Sequence, residues 1–209
     1  MNQTTANQPA AHDATPVTHL LYLHGFRSSP QSTKSRRLAQ WVQQHRPGLH
    51  WACPALLPSP RAAMALIDST VQGWPAAGMA VMGSSLGGYY ARFVAEQRGC
   101  RAVLLNPAVE PARDLTPYVG ALPMYHDPTQ SFEFHARYLD ELRALRVAQL
   151  SHPERAFALI AKGDEVLNWR EMVAACAGMT VRLIEGSDHG LSDFDDHVPH
   201  ILRFLNLQA

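Results

Sequence analysis

Short, mainly apolar runs alternate along this chain with longer stretches whose apolar residues recur every three or four positions. The runs are His19 to Leu23, Ala80 to Met82, Ala102 to Leu105, Phe157 to Ala161 and Val181 to Ile184. Each stops at glycine, Asn-Pro or a polar turn, and such brevity predicts strands rather than helices, with His19 to Leu23 and Ala102 to Leu105 read as buried ones. Leu49 to Cys53 is a weaker candidate of the same kind. Helical spacing falls between the runs. Ser32 stands as a cap before Leu38, Trp41, Val42 and His45, and Pro47-Gly48 ends that stretch. Further helices are predicted around Met64, Ile67, Asp68 and Val71, then Leu86, Tyr89, Tyr90, Phe93 and Val94, and then Trp169 to Ala177. A last one carries Pro199 in its first turn and turns Ile201, Phe204 and Leu205 inward. Repeated strand and helix implies an α/β fold: a mostly parallel sheet with helices on both faces.

Two stretches leave this rhythm. Residues 1–16 are rich in Gln, Asn, Thr and Ala and show no apolar face, which predicts a disordered tail ahead of one domain over 17–209. Residues 111–152 hold Pro123 and Pro128 and one helical pattern with Tyr138, Leu142 and Leu145 on a side. They predict a small helical insertion, a cap over whatever site the sheet carries.

At 209 residues and 46% hydrophobic content the chain fits a single core. Lys plus Arg and Asp plus Glu number 18 each, so no net field favours nucleic acid or an anionic membrane. Its three cysteines, Cys53, Cys100 and Cys176, form no metal or disulfide pattern, and a reducing cytoplasm fits best. No signal sequence and no membrane-length apolar run is present, so membrane attachment is not expected.

The chemistry is concentrated in Gly83-Ser84-Ser85-Leu86-Gly87, set between a strand and a helix. Gly-x-Ser-x-Gly at such a junction lifts one serine above the sheet edge, and glycines on either side avoid clashes with strand and helix. Ser85 is then the nucleophile. A serine hydroxyl needs a base, and the base needs an acid to fix its tautomer. Asp164 follows the Phe157 strand and His189 follows the Val181 strand, in the order Ser, Asp, His found for elbow serines. Glu165 is the fallback acid. Two backbone N–H groups must also meet the oxyanion, and Leu86 and Phe26 are placed for it. His24 reads as a structural hydrogen-bonding residue. Arg27, with Lys34, Arg36 and Arg37 nearby, is a candidate for binding an anionic substrate group, and Tyr138 for lining the acyl pocket. Asp188, Asp193, Asp195, Asp196 and His197 lack a tight ligand spacing and read as turns and a helix start, so no metal is expected.

Taken together, Tyr22 to Pro30, Gly83 to Ala91, Asn106 to Val109, Gly163 to Leu167 and Gly186 to His189 resemble small bacterial esterases of the YqiA type, from about Tyr22 to Leu205. The resemblance implies an α/β-hydrolase fold lacking the early antiparallel strands, with Ser85, Asp164 and His189 as triad. It implies hydrolysis of acyl esters or thioesters, a small-molecule substrate and no cofactor. A hydrolase of peptide or carbon–carbon bonds with the same triad is the alternative. A non-catalytic binding protein on this fold is a more distant one. Oligomeric state is not legible in the sequence.

Overall fold

The computed structural model describes residues 15–123, 129 and 131–208. The tail expected over residues 1–16 therefore lies, up to residue 14, outside the described residues, as does Pro128. In chain order the elements are β1 (His19–Leu23), α1 (Thr33–His45), β2 (His50–Ala52), α2 (Pro60–Thr70), β3 (Met79–Ser84), α3 (Leu86–Arg98), β4 (Arg101–Leu105) and α4 (Pro111–Asp114). Then come β5 (Gly120–Pro123), β6 (Ser131–Phe134), α5 (Arg137–Ala144), β7 (Ala156–Ala161), α6 (Trp169–Ala175), β8 (Thr180–Ile184) and α7 (Phe194–Phe204). Among the described residues no helix is long and apolar enough to cross a membrane.

Six strands form one sheet in the order β2-β1-β3-β4-β7-β8, and every neighbouring pair is parallel. Successive residues of a strand point to opposite faces, so each strand feeds two cores. Leu21, Leu23, Val81, Leu104 and Ile160 pack with α2, α3 and α6. Leu20, Tyr22, Met82, Leu105 and Leu159 pack on the other side with α1 and α7. Burial on both faces is why these strands read as continuous apolar runs rather than alternating ones.

From β1 the chain builds β2 on one side, then crosses back to lay β3 along the other edge of β1. Strand order reverses between β1 and β3, and the loops leaving their C-terminal ends part there to open a crevice.

The segment between β4 and β7 is richer than its sequence predicts. Its helix is present as α5, with Tyr138, Leu139 and Leu142 buried. Ahead of α5, β5 and β6 pair antiparallel, with Leu122 opposite Phe132. Two polar ties anchor α5. Tyr89 on α3 donates its hydroxyl to the Leu142 carbonyl at 2.7 Å. Glu141 accepts from the Ser59 hydroxyl at 2.7 Å and the Arg61 N–H at 3.0 Å, while Ser59 itself caps α2 by accepting from the Ala62 N–H.

Two local expectations need correction. Ser32 stands at the start of α1, but its hydroxyl makes no capping bond. Pro199 lies inside α7 rather than in its first turn, because the helix already begins at Phe194, and the ring there forfeits one helix hydrogen bond.

Candidate active site

Ser85 is the single residue between β3 and α3, and its backbone is left-handed, at φ 56° and ψ −120°. For a residue with a side chain such a conformation costs on the order of 1–3 kcal/mol and must be held by its surroundings. Four backbone bonds hold it. Ser85 N–H donates to the Leu105 carbonyl at 3.0 Å, and the Ser85 carbonyl accepts from Gly88, Tyr89 and Ala108 at 2.9, 3.2 and 3.1 Å. The flanking glycines are obligatory for contact reasons. A Cβ on Gly83 would lie 2.0 Å from the Gly87 carbonyl oxygen, and one on Gly87 would lie 2.0 Å from that of Leu23.

The loops after β7 and β8 bring two more groups to the hydroxyl. His189 Nε2 is 3.0 Å from Ser85 Oγ, and His189 Nδ1 is 2.7 Å from Asp164 Oδ2. The Asp164 side chain is fully buried, and its other oxygen accepts from the Val166 and Leu167 N–H groups at 2.9 and 2.7 Å. An ionised carboxylate only accepts, so the ring proton belongs on Nδ1, and Nε2 faces the serine with its lone pair. Glu165 takes a different part: its carboxylate accepts the His189 backbone N–H at 2.9 Å.

Asn106 also serves this site, although in sequence it reads only as a strand breaker. It is fully buried with φ 41°. Its amide donates to the Asp188 and His189 carbonyls at 3.0 and 3.1 Å and accepts the Ala161 N–H at 2.8 Å. One side chain thus joins the ends of β4 and β7 to the histidine loop. The only forewarning in sequence is the residue type, since Asn tolerates the left-handed region at loop starts. Other polar groups of that loop are engaged locally, Asp188 accepting from the Ser192 N–H at 2.9 Å and Asp193 from Ser187 and His197, while Asp195 in the first turn of α7 pairs with Arg37 of α1 at 3.5 Å.

Beside the serine lies an open cleft of about 450 Å³, solvent at its mouth included. Phe26, Leu86, Tyr90, Phe132, Leu56, Leu57 and Pro58 give it apolar walls, and Arg27 also lines it. A Cβ on Gly25 would come 3.4 Å from Ser85 Cβ and 3.9 Å from its Oγ, which fixes how closely the β1 loop approaches the hydroxyl. Leu86 opens α3, so its N–H is among those with no partner inside the helix. His24 Nε2 accepts the Leu56 N–H at 3.0 Å, and Nδ1 lies 3.0 Å from the Gly25 carbonyl, so both ring nitrogens are engaged. Arg27 donates through Nε to the Pro123 carbonyl at 2.9 Å, joining the β1 loop to β5. Tyr138 is placed otherwise than its sequence suggests. Its buried ring packs edge-on to Phe134, which in turn meets Phe26, and the described residues lining the cleft do not include it. Phe132, on the hairpin, takes that place.

A family model matches residues 19–206, nearly the whole described chain. The chain belongs to the uncharacterised protein family UPF0227. Membership agrees with the YqiA-type resemblance carried by the motifs. Solved structures place this UPF0227 chain on a known fold. It is similar to the structure described with LipS and LipT, two metagenome-derived lipolytic enzymes, at 20% identity and TM-score 0.68, covering 92% of this chain and 96% of that one. Est1E from Butyrivibrio proteoclasticus aligns at 13% identity and TM-score 0.66, over 92% and 88% of the two chains. The esterase domain of a Rhodothermus marinus protein aligns at 15% and 0.60, over 93% and 87%. At such identities the likeness establishes the α/β-hydrolase fold.

Proposed function

We propose that this UPF0227 protein is a serine hydrolase that cleaves acyl esters or thioesters of small molecules through an acyl-enzyme. The observation that carries the reading is the relay from Ser85 Oγ to His189 Nε2 at 3.0 Å and from His189 Nδ1 to Asp164 at 2.7 Å, built on a left-handed Ser85. In the first half-reaction His189 takes the hydroxyl proton as Ser85 Oγ bonds to the acyl carbon. The Asp164 carboxylate steadies the imidazolium, and the Leu86 and Phe26 N–H groups receive the oxyanion. Collapse breaks the bond to the leaving alcohol or thiol, which leaves with the proton from His189. Water then gives a proton to His189 as it attacks the acyl carbon, and collapse breaks the bond to Ser85 Oγ, which takes that proton back from His189 as the acid leaves. Every proton and electron pair is accounted for by the chain and water, so the chemistry requires no cofactor. Cys53, Cys100 and Cys176 are unpaired, which supports a reducing, cytoplasmic setting. The fold neighbours named as lipolytic enzymes and esterases support the ester as substrate.

Ser85→Ala tests the assignment directly. Hydrolysis of p-nitrophenyl butyrate should fall about 10⁶-fold if the three groups act as a unit, and a fluorophosphonate probe should no longer label the protein. Ser84→Ala, altering the neighbouring hydroxyl, is the comparison. Equal losses in the two variants, or labelling that survives Ser85→Ala, would overturn the reading.

A further inference from the structure

Tyr90 lines the cleft, and the scheme above gives its hydroxyl nothing to do. The residue sits on α3, five positions after Ser85, and is only 2% exposed. Its neighbour Tyr89 donates to the Leu142 carbonyl, whereas the Tyr90 hydroxyl makes no hydrogen bond among the described residues. The oxygen is not among the fully enclosed atoms that lack a partner, so it opens on the cleft, where water or a ligand can reach it. Burial, with the fields of Tyr89 and Glu141, pushes its pKa well above the ordinary phenol range, so it remains a neutral donor and acceptor. Glu141 makes no hydrogen bond to it, and its Oε2 accepts from Ser59 and Arg61. Phe26, Leu56, Leu57, Pro58, Leu86 and Phe132 give the cleft apolar side chains, while His24, Arg27 and Ser28 line it with polar ones.

The side of the serine on which the cleft lies decides which half of the substrate meets Tyr90. The leaving group must point at His189 to collect its proton. Among the described residues lining the cleft His189 is absent, while Phe26 and Leu86 are present. Ser85 is not among the lining residues either, and the acyl side is assigned to the cleft on its Phe26 and Leu86 walls, whose N–H groups are assigned to the oxyanion. With a helical rise of about 1.5 Å per residue, the Tyr90 Cα lies roughly 7–8 Å along α3 from Ser85, and the chain position that its hydroxyl meets is read from the homologous series below.

We propose that Tyr90 is a specificity-determining residue whose hydroxyl hydrogen-bonds an oxygen carried a few carbons along the acyl chain, so that oxo- or hydroxy-substituted acyl groups are the substrate class. This rests on the serine hydrolase reading. A site built to bond such an oxygen discriminates against the analogue lacking it, because the buried hydroxyl is then left unpaired.

The test compares p-nitrophenyl 4-oxopentanoate, 5-oxohexanoate and 6-oxoheptanoate with pentanoate, hexanoate and heptanoate. Wild type should prefer the oxo ester at one chain position by tenfold or more in kcat/KM, and Tyr90→Phe should bring that ratio close to one. A thermal melt not lowered in Tyr90→Phe shows that the fold is kept, since the lost hydroxyl leaves no partner behind. Equal ratios in the two proteins overturn the inference while leaving the hydrolase reading standing. A second measurement does not need turnover: calorimetric binding of 5-oxohexanoic against hexanoic acid, with its shorter and longer homologues, to Ser85→Ala and to Ser85→Ala/Tyr90→Phe. A preference for one oxo acid that disappears with Tyr90→Phe supports the site even if no ester is cleaved, and no preference in either protein overturns it.

Discussion

Asp164 and Glu165 are adjacent acids after β7, and both bond to His189, yet to different atoms of it. Asp164 holds the ring at Nδ1 and Glu165 the backbone N–H. The difference follows from how the Asp164 carboxylate is pinned, since the Val166 and Leu167 N–H groups fix one oxygen and aim the other at the ring. In Asp164→Asn those two N–H groups would keep the amide oxygen and leave the amide NH₂ facing Nδ1. The ring would then carry its proton on Nε2, the wrong nitrogen to accept one from Ser85. We expect a loss on the order of 10⁴-fold in kcat with an unchanged circular dichroism spectrum. Glu165→Gln keeps an oxygen for the backbone N–H and should lose far less. A reversed ranking in steady-state kinetics would move the acid role to Glu165. That Ser85, Asp164 and His189 would meet was legible in sequence because each stands just past a strand of the central sheet in a recognisable order. Tyr90 was legible only as a core position, because helical spacing says that a ring is buried and nothing about its hydroxyl.

At the scale of elements, the five runs all became strands of the central sheet: β8 is a largely exposed edge strand interrupted by Arg182, whereas in β1, β3, β4 and β7 burial on both faces leaves a continuous apolar signal. The hairpin of β5 and β6 left none. Each strand has four residues, alternates half-buried with exposed positions, and β5 ends in a proline, so neither resembles a core strand. Asn106 escaped for another reason: its three side-chain bonds reach residues 55 to 83 positions away, which no local pattern records. They tie three strand ends together, and this gives them a kinetic consequence. Asn106→Asp has nearly the same shape and keeps the acceptor for the Ala161 N–H, but it sets a carboxylate against the Asp188 and His189 carbonyls. The histidine loop should shift, and a 1 Å misplacement of a catalytic group costs about 10²-fold. We expect kcat to fall by about that factor, with KM little changed and the variant still folded by circular dichroism. Full activity in Asn106→Asp would show that the loop holds its place without this bracket.

For the molecule as a whole, the site is a joint between two parts of the chain. The sheet supplies Ser85, Asp164 and His189, while the segment between β4 and β7 supplies Phe132 as a wall of the cleft. Phe132 meets Phe26 edge-on with ring centroids 6.0 Å apart, so the insertion packs on the same loop whose amide is assigned to the oxyanion. The cleft is therefore bounded by the insertion and not by the sheet alone. Each methylene buried in it should contribute about 0.8 kcal/mol, or about fourfold in kcat/KM, until the cleft is filled. Carbons beyond that point remain in water and contribute nothing. Along a p-nitrophenyl ester series from acetate to palmitate, measured below micelle concentrations, the rate should rise through short and medium chains and then level or fall. Phe132→Ala removes the wall and should move the break to longer chains. Tyr138→Ala, altering a ring that lies behind Phe134, should move it less. A steady rise to palmitate in all three proteins would mean that the insertion does not close the acyl cleft.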